Sequence, residues 1–134
     1  MSNGIPLTDD DRWGWLNTLW REAVREINGG SAGCVVTCSC LKQSYRDVMR
    51  AANREANVAL RFIYLRADKQ LLLARVKART GHYMKDSMVE SQFNDLEEPR
   101  EVEQDVASVD VSGTLESVQN MVMTNVYKVK NEFS

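Results

Sequence analysis

Three short apolar runs constrain this chain more than any other feature: Cys34–Cys38 (CVVTC), Leu60–Leu65 (LRFIYL) and Val106–Val111 (VASVDV). They are too short for independent helices, carry β-branched or aromatic residues, and are separated by longer stretches with helical spacing. Runs that are apolar on both faces suit strands buried on both faces, and such strands are usually parallel. The order helix, strand, helix, strand, helix, helix, strand, helix therefore predicts an α/β domain with right-handed crossovers. At 134 residues the chain fits one domain, 1–134.

The stretches between the runs read as helices. Thr8 opens the first, with Asp9, Asp10 and Asp11 in its first turn, where the helix dipole favours acids. Leu16, Leu19, Trp20, Ala23 and Ile27 form its apolar stripe, and Gly29-Gly30 ends it. A second helix is predicted over Gln43–Glu55, with Tyr45, Val48, Met49 and Ala52 on one face and Arg46 and Arg50 on another. A third runs from Lys69 to Arg79 behind an Asp68 cap, with Leu72, Leu73 and Val76 inward. Gly81 stops it, and His82 and Tyr83 lie in the turn. A fourth spans Met84–Leu96 with Val89, Phe93 and Leu96 buried, and residues 100–104 read as a charged surface loop. A last helix covers Leu115–Lys130, with Leu115, Val118, Val122, Val126 and Val129 along one side.

Charge is distributed unevenly. Residues 42–85 hold eleven Lys or Arg and three Asp or Glu, whereas residues 86–134 hold three basic and eleven acidic residues. The formal net charge of −2 argues against a general nucleic-acid binder. Most of these charges read as solvated helix faces, and part of the basic block reads as facing a phosphorylated ligand. Cys34, Cys38 and Cys40 lie within seven residues, with no second cysteine cluster. On a strand their side chains would share one face and be poorly placed to bridge. They read as reduced, mostly buried thiols of a cytoplasmic protein. One histidine is too few for a convincing zinc site. The sequence shows neither a signal peptide nor an apolar run long enough to span a membrane.

Candidate ligand-binding residues sit after strand ends, where open α/β sheets bind ligands. Lys42 and Arg46 follow the first run. Arg75 and Arg79 are four apart on one helix face, so their guanidinium groups are suited to a polyphosphate. The stretch Lys77–Pro99 then passes from a basic helix end through Gly-His-Tyr to an acidic cluster, and reads as a lid closing over an anion. Gln92 is the polar residue nearest its apolar stripe.

Four blocks carry a resemblance: PLTDDDR at 6–12 with Trp15-Leu16, CSCLKQSYRD at 38–47, KARTGHYM at 77–84 and QFNDLEEP at 92–99. In this order, from about Gly4 to about Met123, they resemble the bacterial and eukaryotic gluconokinase family of small P-loop kinases. The resemblance implies a three-layer fold like that of nucleoside-monophosphate kinases, with residues 75–99 as lid and following helix. It implies transfer of a phosphoryl group from MgATP to D-gluconate, giving 6-phosphogluconate for the pentose phosphate pathway. It also implies that Arg75 and Arg79 cover the ATP phosphates, that Lys42, Arg46, His82 and Gln92 meet the sugar acid, and that Ser112, Gly113 and Thr114 border the adenine. No intrinsic metal site follows from it, and it leaves a homodimer open.

The resemblance further implies a GxSGxGKS-type loop whose backbone cradles phosphate, then an Asp-Gly-Asp motif and a His-Pro pair. None of these occurs in the 134 residues, and Met1 stands where the family has a methionine before Gly-x-Pro-Leu. The expectation is a family member beginning at an internal methionine, its parallel sheet lacking the central first strand. The strands at 34–38 and 60–65 would then close on each other or leave open edges. The alternative to catalysis is a non-catalytic sugar-acid or nucleotide-binding or interaction protein, or a gene-model fragment.

Overall fold

Pairing decides which of the three apolar runs become strands. The computed structural model describes residues 9–78 and 86–132. Within them, β1 (Phe62–Arg66) and β2 (Val106–Asp110) form a two-stranded parallel sheet, in register from Phe62 opposite Val106 to Arg66 opposite Asp110. Around it lie α1 (Asp9–Asn28), α2 (Gln43–Ala56), α3 (Lys69–Ala78), α4 (Asp86–Asp95) and α5 (Leu115–Glu132). The predicted α/β order is thus realised except at the first run.

Cys34–Cys38 belongs to no strand, and Val35 is 84% exposed. An apolar run becomes a strand only when a neighbouring edge takes its backbone groups. β1 gives one edge to β2, and the expected closure of 34–38 on 60–65 does not occur. The cysteines follow their backbone. Cys34 and Cys38 are exposed and Cys40 half-buried, all three free, which corrects the expectation of buried thiols.

Local signals fix the helix ends. The carboxylate of Asp68 accepts the Leu71 amide at 2.8 Å at the start of α3. The Thr114 hydroxyl does the same for Ser117 at 3.1 Å at the start of α5. α2 ends at Asn57, whose φ of 56° is left-handed, and the Val58 amide closes back on the Asn53 carbonyl at 2.9 Å. Asparagine tolerates this conformation better than most residues. The Thr8 cap lies outside the described residues.

α1 packs on α2, and α3 on α4. In the first pair Leu16, Tyr45 and Met49 are buried, with the Trp13 ring edge-on to Tyr45 at 5.1 Å. In the second, Val76, Met88 and Val89 are buried. Full burial of such side chains stabilises by about 1.5–3 kcal/mol each. α5 packs on β2 but has no fully buried residue, and Leu115, expected on its inward side, is 74% exposed.

The basic and acidic blocks meet. Arg46 and Arg50 pair with Glu103, Arg50 also with Asp105, Arg61 with Glu132, Arg66 with Glu98 and Lys69 with Glu90. Much of the charge asymmetry therefore resolves as complementarity within the domain. Glu103 is buried, so the expected surface loop at 100–104 is partly interior.

Candidate functional site

A cavity of about 660 Å³ opens at the carboxyl ends of β1 and β2. This is where ligands bind in open parallel sheets. Tyr64 and Leu65 of β1 and Val111, just past β2, reach into it. α3 contributes Leu72 and Arg75, and α4 contributes Gln92, Phe93 and Leu96. Gly113, Leu115 and Val118 close the far side, with Leu41 from the turn before α2. The lining is mostly apolar with a few convergent polar groups, the usual make-up of a small-molecule site.

Of the residues singled out in the sequence, the cavity brings together Arg75, Gln92 and Gly113. Arg75 is exposed on α3, and its guanidinium donates to the Gly113 carbonyl at 3.4 Å. That contact is long, so the cation remains available at the rim. Ser112 and Thr114 flank Gly113. The Ser112 amide donates to the Asp110 carboxylate at 2.7 Å, and the Ser112 side chain first, then this amide, hold the Asp110 carboxyl below the usual carboxylate range. Arg79 and His82 lie outside the described residues.

Lys42 and Arg46 do not line the cavity. Lys42 is the residue before α2, and its carbonyl accepts the Arg46 amide. Its ammonium lies 5.7 Å from the centre of the Tyr45 ring, within cation–π range. Arg46 is 3% exposed. Its Nε and Nη2 donate to the two Glu103 oxygens at 2.7 and 2.9 Å. Nη2 also reaches the Glu97 carbonyl at 3.0 Å, and Nη1 reaches the carbonyls of Cys40 at 3.0 Å and Leu41 at 3.4 Å. The fork geometry of the guanidinium is thereby fully used. Hydrogen bonds from Arg46 and then Arg50 hold the Glu103 carboxyl down at about 2, against the opposing effect of burial.

Arg46 nevertheless borders the site through the backbone it grips. The Glu97 amide donates to the Leu41 carbonyl at 2.7 Å, and the Gln43 amide to the Glu97 carboxylate at 3.0 Å. The turn carrying Leu41 is thus tied to the end of α4. Sequence reasoning missed a second polar edge, at Tyr64. Its hydroxyl donates to Glu98 Oε1 at 3.0 Å, and Arg66 Nε donates to the same oxygen at 3.1 Å. Desolvation, then the bond to Glu98, pushes the phenol up to about 12. The signal was present in the acids after Leu96, which have the basic strand end Tyr64-Leu65-Arg66 to answer.

Comparison with known proteins fits this arrangement. No family model matches the sequence. The probable gluconokinase of Schizosaccharomyces pombe is 43% identical over 133 residues, covering 98% of this chain and 69% of that protein. The thermoresistant gluconokinase of Escherichia coli is 42% identical over 118 residues, covering 88% of this chain and 65% of that protein. A crystal structure of a gluconokinase from Sinorhizobium meliloti superposes with a TM-score of 0.80 at 35% identity, over 98% of this chain and 70% of that one. A sugar kinase from Janibacter gives 0.79 at 31% identity, over 92% and 68%.

The fold is therefore that of the α/β, P-loop-kinase-like sugar kinases. Within that class the chain belongs to the gluconokinase family. It spans about two thirds of the length of these relatives.

Proposed function

We propose that this chain serves gluconokinase-type phosphoryl transfer, from ATP to a hydroxyl of D-gluconate, giving 6-phosphogluconate. The observation that carries the reading is the meeting of Arg75, Gln92 and Gly113 around one cavity at the strand ends. Residues 75–99 act as lid and following helix. The apolar side formed by Val111, Leu115 and Val118 suits a nucleoside base, with Ser112 to Thr114 bordering it. Arg75 at the rim suits its phosphates, joined by Arg79. Gln92 would meet the sugar acid, a role the family resemblance also gives to His82. Lys42 shapes the same edge, and Arg46 acts as a positioning residue that holds the Leu41 turn against α4.

ATP would supply the transferable phosphoryl group, and magnesium the neutralisation of its charge. Magnesium would enter with the nucleotide phosphates. Among the described residues no helix is long and apolar enough to cross a membrane. Three free thiols support a reducing compartment, the cytoplasm, and the product would enter the pentose phosphate pathway.

A second reading is that these 134 residues bind nucleotide or sugar acid without transfer, since the GxxxxGK[ST] loop that cradles phosphates in such kinases is not among them. Incubation with MgATP and D-gluconate, with ADP and 6-phosphogluconate quantified, separates the two. Gluconate-dependent formation of both products supports transfer. ATP binding without product supports the second reading, and neither binding nor product rejects both.

A further inference from the structure

Tyr64 is a polar group on the cavity wall that the phosphoryl-transfer reading leaves unused. It is half-buried on β1 and lines the cavity, whereas Glu98, which accepts its hydroxyl at 3.0 Å, does not. The phenol therefore stands between the cavity and a carboxylate. Arg66 Nε donates to the same Glu98 oxygen at 3.1 Å, so the acceptor is itself held in place. A phenol has one proton to give and lone pairs with which to accept. Here the proton goes to Glu98, and the accepting side of the oxygen is left for the cavity. We propose that Tyr64 is a specificity-determining residue that accepts a hydrogen bond from a hydroxyl on the carbon chain of the sugar acid, with Glu98 as the positioning residue that fixes its direction.

The chain around Glu98 assigns the side of the cavity. The neighbouring Glu97 amide donates to the Leu41 carbonyl at 2.7 Å, and Leu41, Gln92 and Leu96 line the cavity together with Tyr64. Tyr64 thus belongs to the wall built by α4 and the Leu41 turn, where Gln92 would meet the sugar acid. Val111, Leu115 and Val118, which follow β2, form the side suited to the base. The proposal rests on that reading of the two sides.

An oriented acceptor selects for donors. A polyol offers hydroxyl protons, whereas a carbonyl or ether oxygen would meet the phenol lone pair against lone pair. A site built to bond a hydroxyl discriminates strongly against an analogue that lacks it. The phenol keeps its proton in neutral solution, because burial and then the bond to Glu98 push it up to about 12. Two ligands of the proposed reaction carry hydroxyls, the sugar acid and the ribose of the nucleotide. The position of Tyr64 on the α4 wall favours the first.

The test compares affinities for D-gluconate, hexanoate and MgATP by amide chemical-shift titration of the chain and its variants. Hexanoate keeps the carboxylate and the chain length but has no hydroxyls. Tyr64→Phe should weaken D-gluconate about 3- to 10-fold, the usual effect of losing one hydrogen bond, and leave hexanoate and MgATP unchanged. Glu98→Ala frees the phenol proton to turn and should weaken D-gluconate about twofold or more. Glu98→Gln, whose amide carbonyl still accepts that proton, should restore the parent affinity. D-gluconate binding unchanged in Tyr64→Phe would overturn the proposal and leave the gluconokinase reading standing. Equal losses of D-gluconate and hexanoate would overturn it as a packing effect, and a loss confined to MgATP would place the hydroxyl on the ribose instead. Glu98→Gln as weak as Glu98→Ala would overturn the role of Glu98. No D-gluconate binding by the parent chain would overturn the proposal together with the reading on which it rests.

Discussion

VASVDV and CVVTC are similar apolar runs with different fates. The first is β2, in register with β1, its Val109 buried. The second is an exposed stretch with Val35 almost fully in solvent. Hydrophobicity alone does not make a strand; it needs an edge to receive its backbone groups. The same contrast applies to the two sets of cations singled out in the sequence. Arg46 is consumed by Glu103, while Arg75 stands at a cavity rim with one long hydrogen bond among the described residues.

The strongest way to break this comparison is to remove one partner of the buried pair. Arg46→Ala leaves buried Glu103 with Arg50 as its remaining guanidinium partner and should cost about 3 kcal/mol in urea denaturation, the upper end for hydrogen bonds to a charged group. A loss below about 1 kcal/mol would mean that Arg46 is in fact exposed and available to ligand.

The two runs can be compared directly. Val109→Ala should destabilise by about 1–3 kcal/mol, since it empties a buried site in β2. Val35→Ser should stay within about 0.5 kcal/mol of the parent. Similar losses at both positions would show that 34–38 is packed after all.

Acid titration sharpens the picture of the ion-pair hub. The Glu103 carboxyl is held down at about 2 in the fold, below its unfolded value near 4.5. Between those values the unfolded chain binds more protons, so stability falls as pH drops through this window. The contribution is present above about pH 4.5 and lost near pH 2. Glu103→Gln should flatten that limb in a series of urea midpoints, and an equally steep decline in the variant would assign it to other carboxylates.

Helices and the two paired strands were legible because their signals are local. Asp68 lies three residues before the amide it caps, and apolar spacing marked Leu16, Val76 and Val89. The partner of Arg46 was not legible, since Glu103 lies 57 positions away and appeared to belong to a charged loop. The paired spacing was the available clue: two arginines four apart on a helix face, and Glu103 and Asp105 two apart in the acidic block. The fate of CVVTC was illegible for a different reason. Whether an edge is free for it depends on the whole sheet rather than on its own residues.

We propose that the strand-end cavity, and not the Arg46 hub, receives the nucleotide. The most direct measurement is an amide chemical-shift titration of the labelled chain with MgATP, run beside Arg75→Ala. The expected shifts centre on Val111, Gly113 and Leu115, with affinity about tenfold weaker or worse in the variant, the usual effect of losing a hydrogen bond to a charged group. Shifts centred instead on residues 42–50, with affinity unchanged in Arg75→Ala, would contradict it.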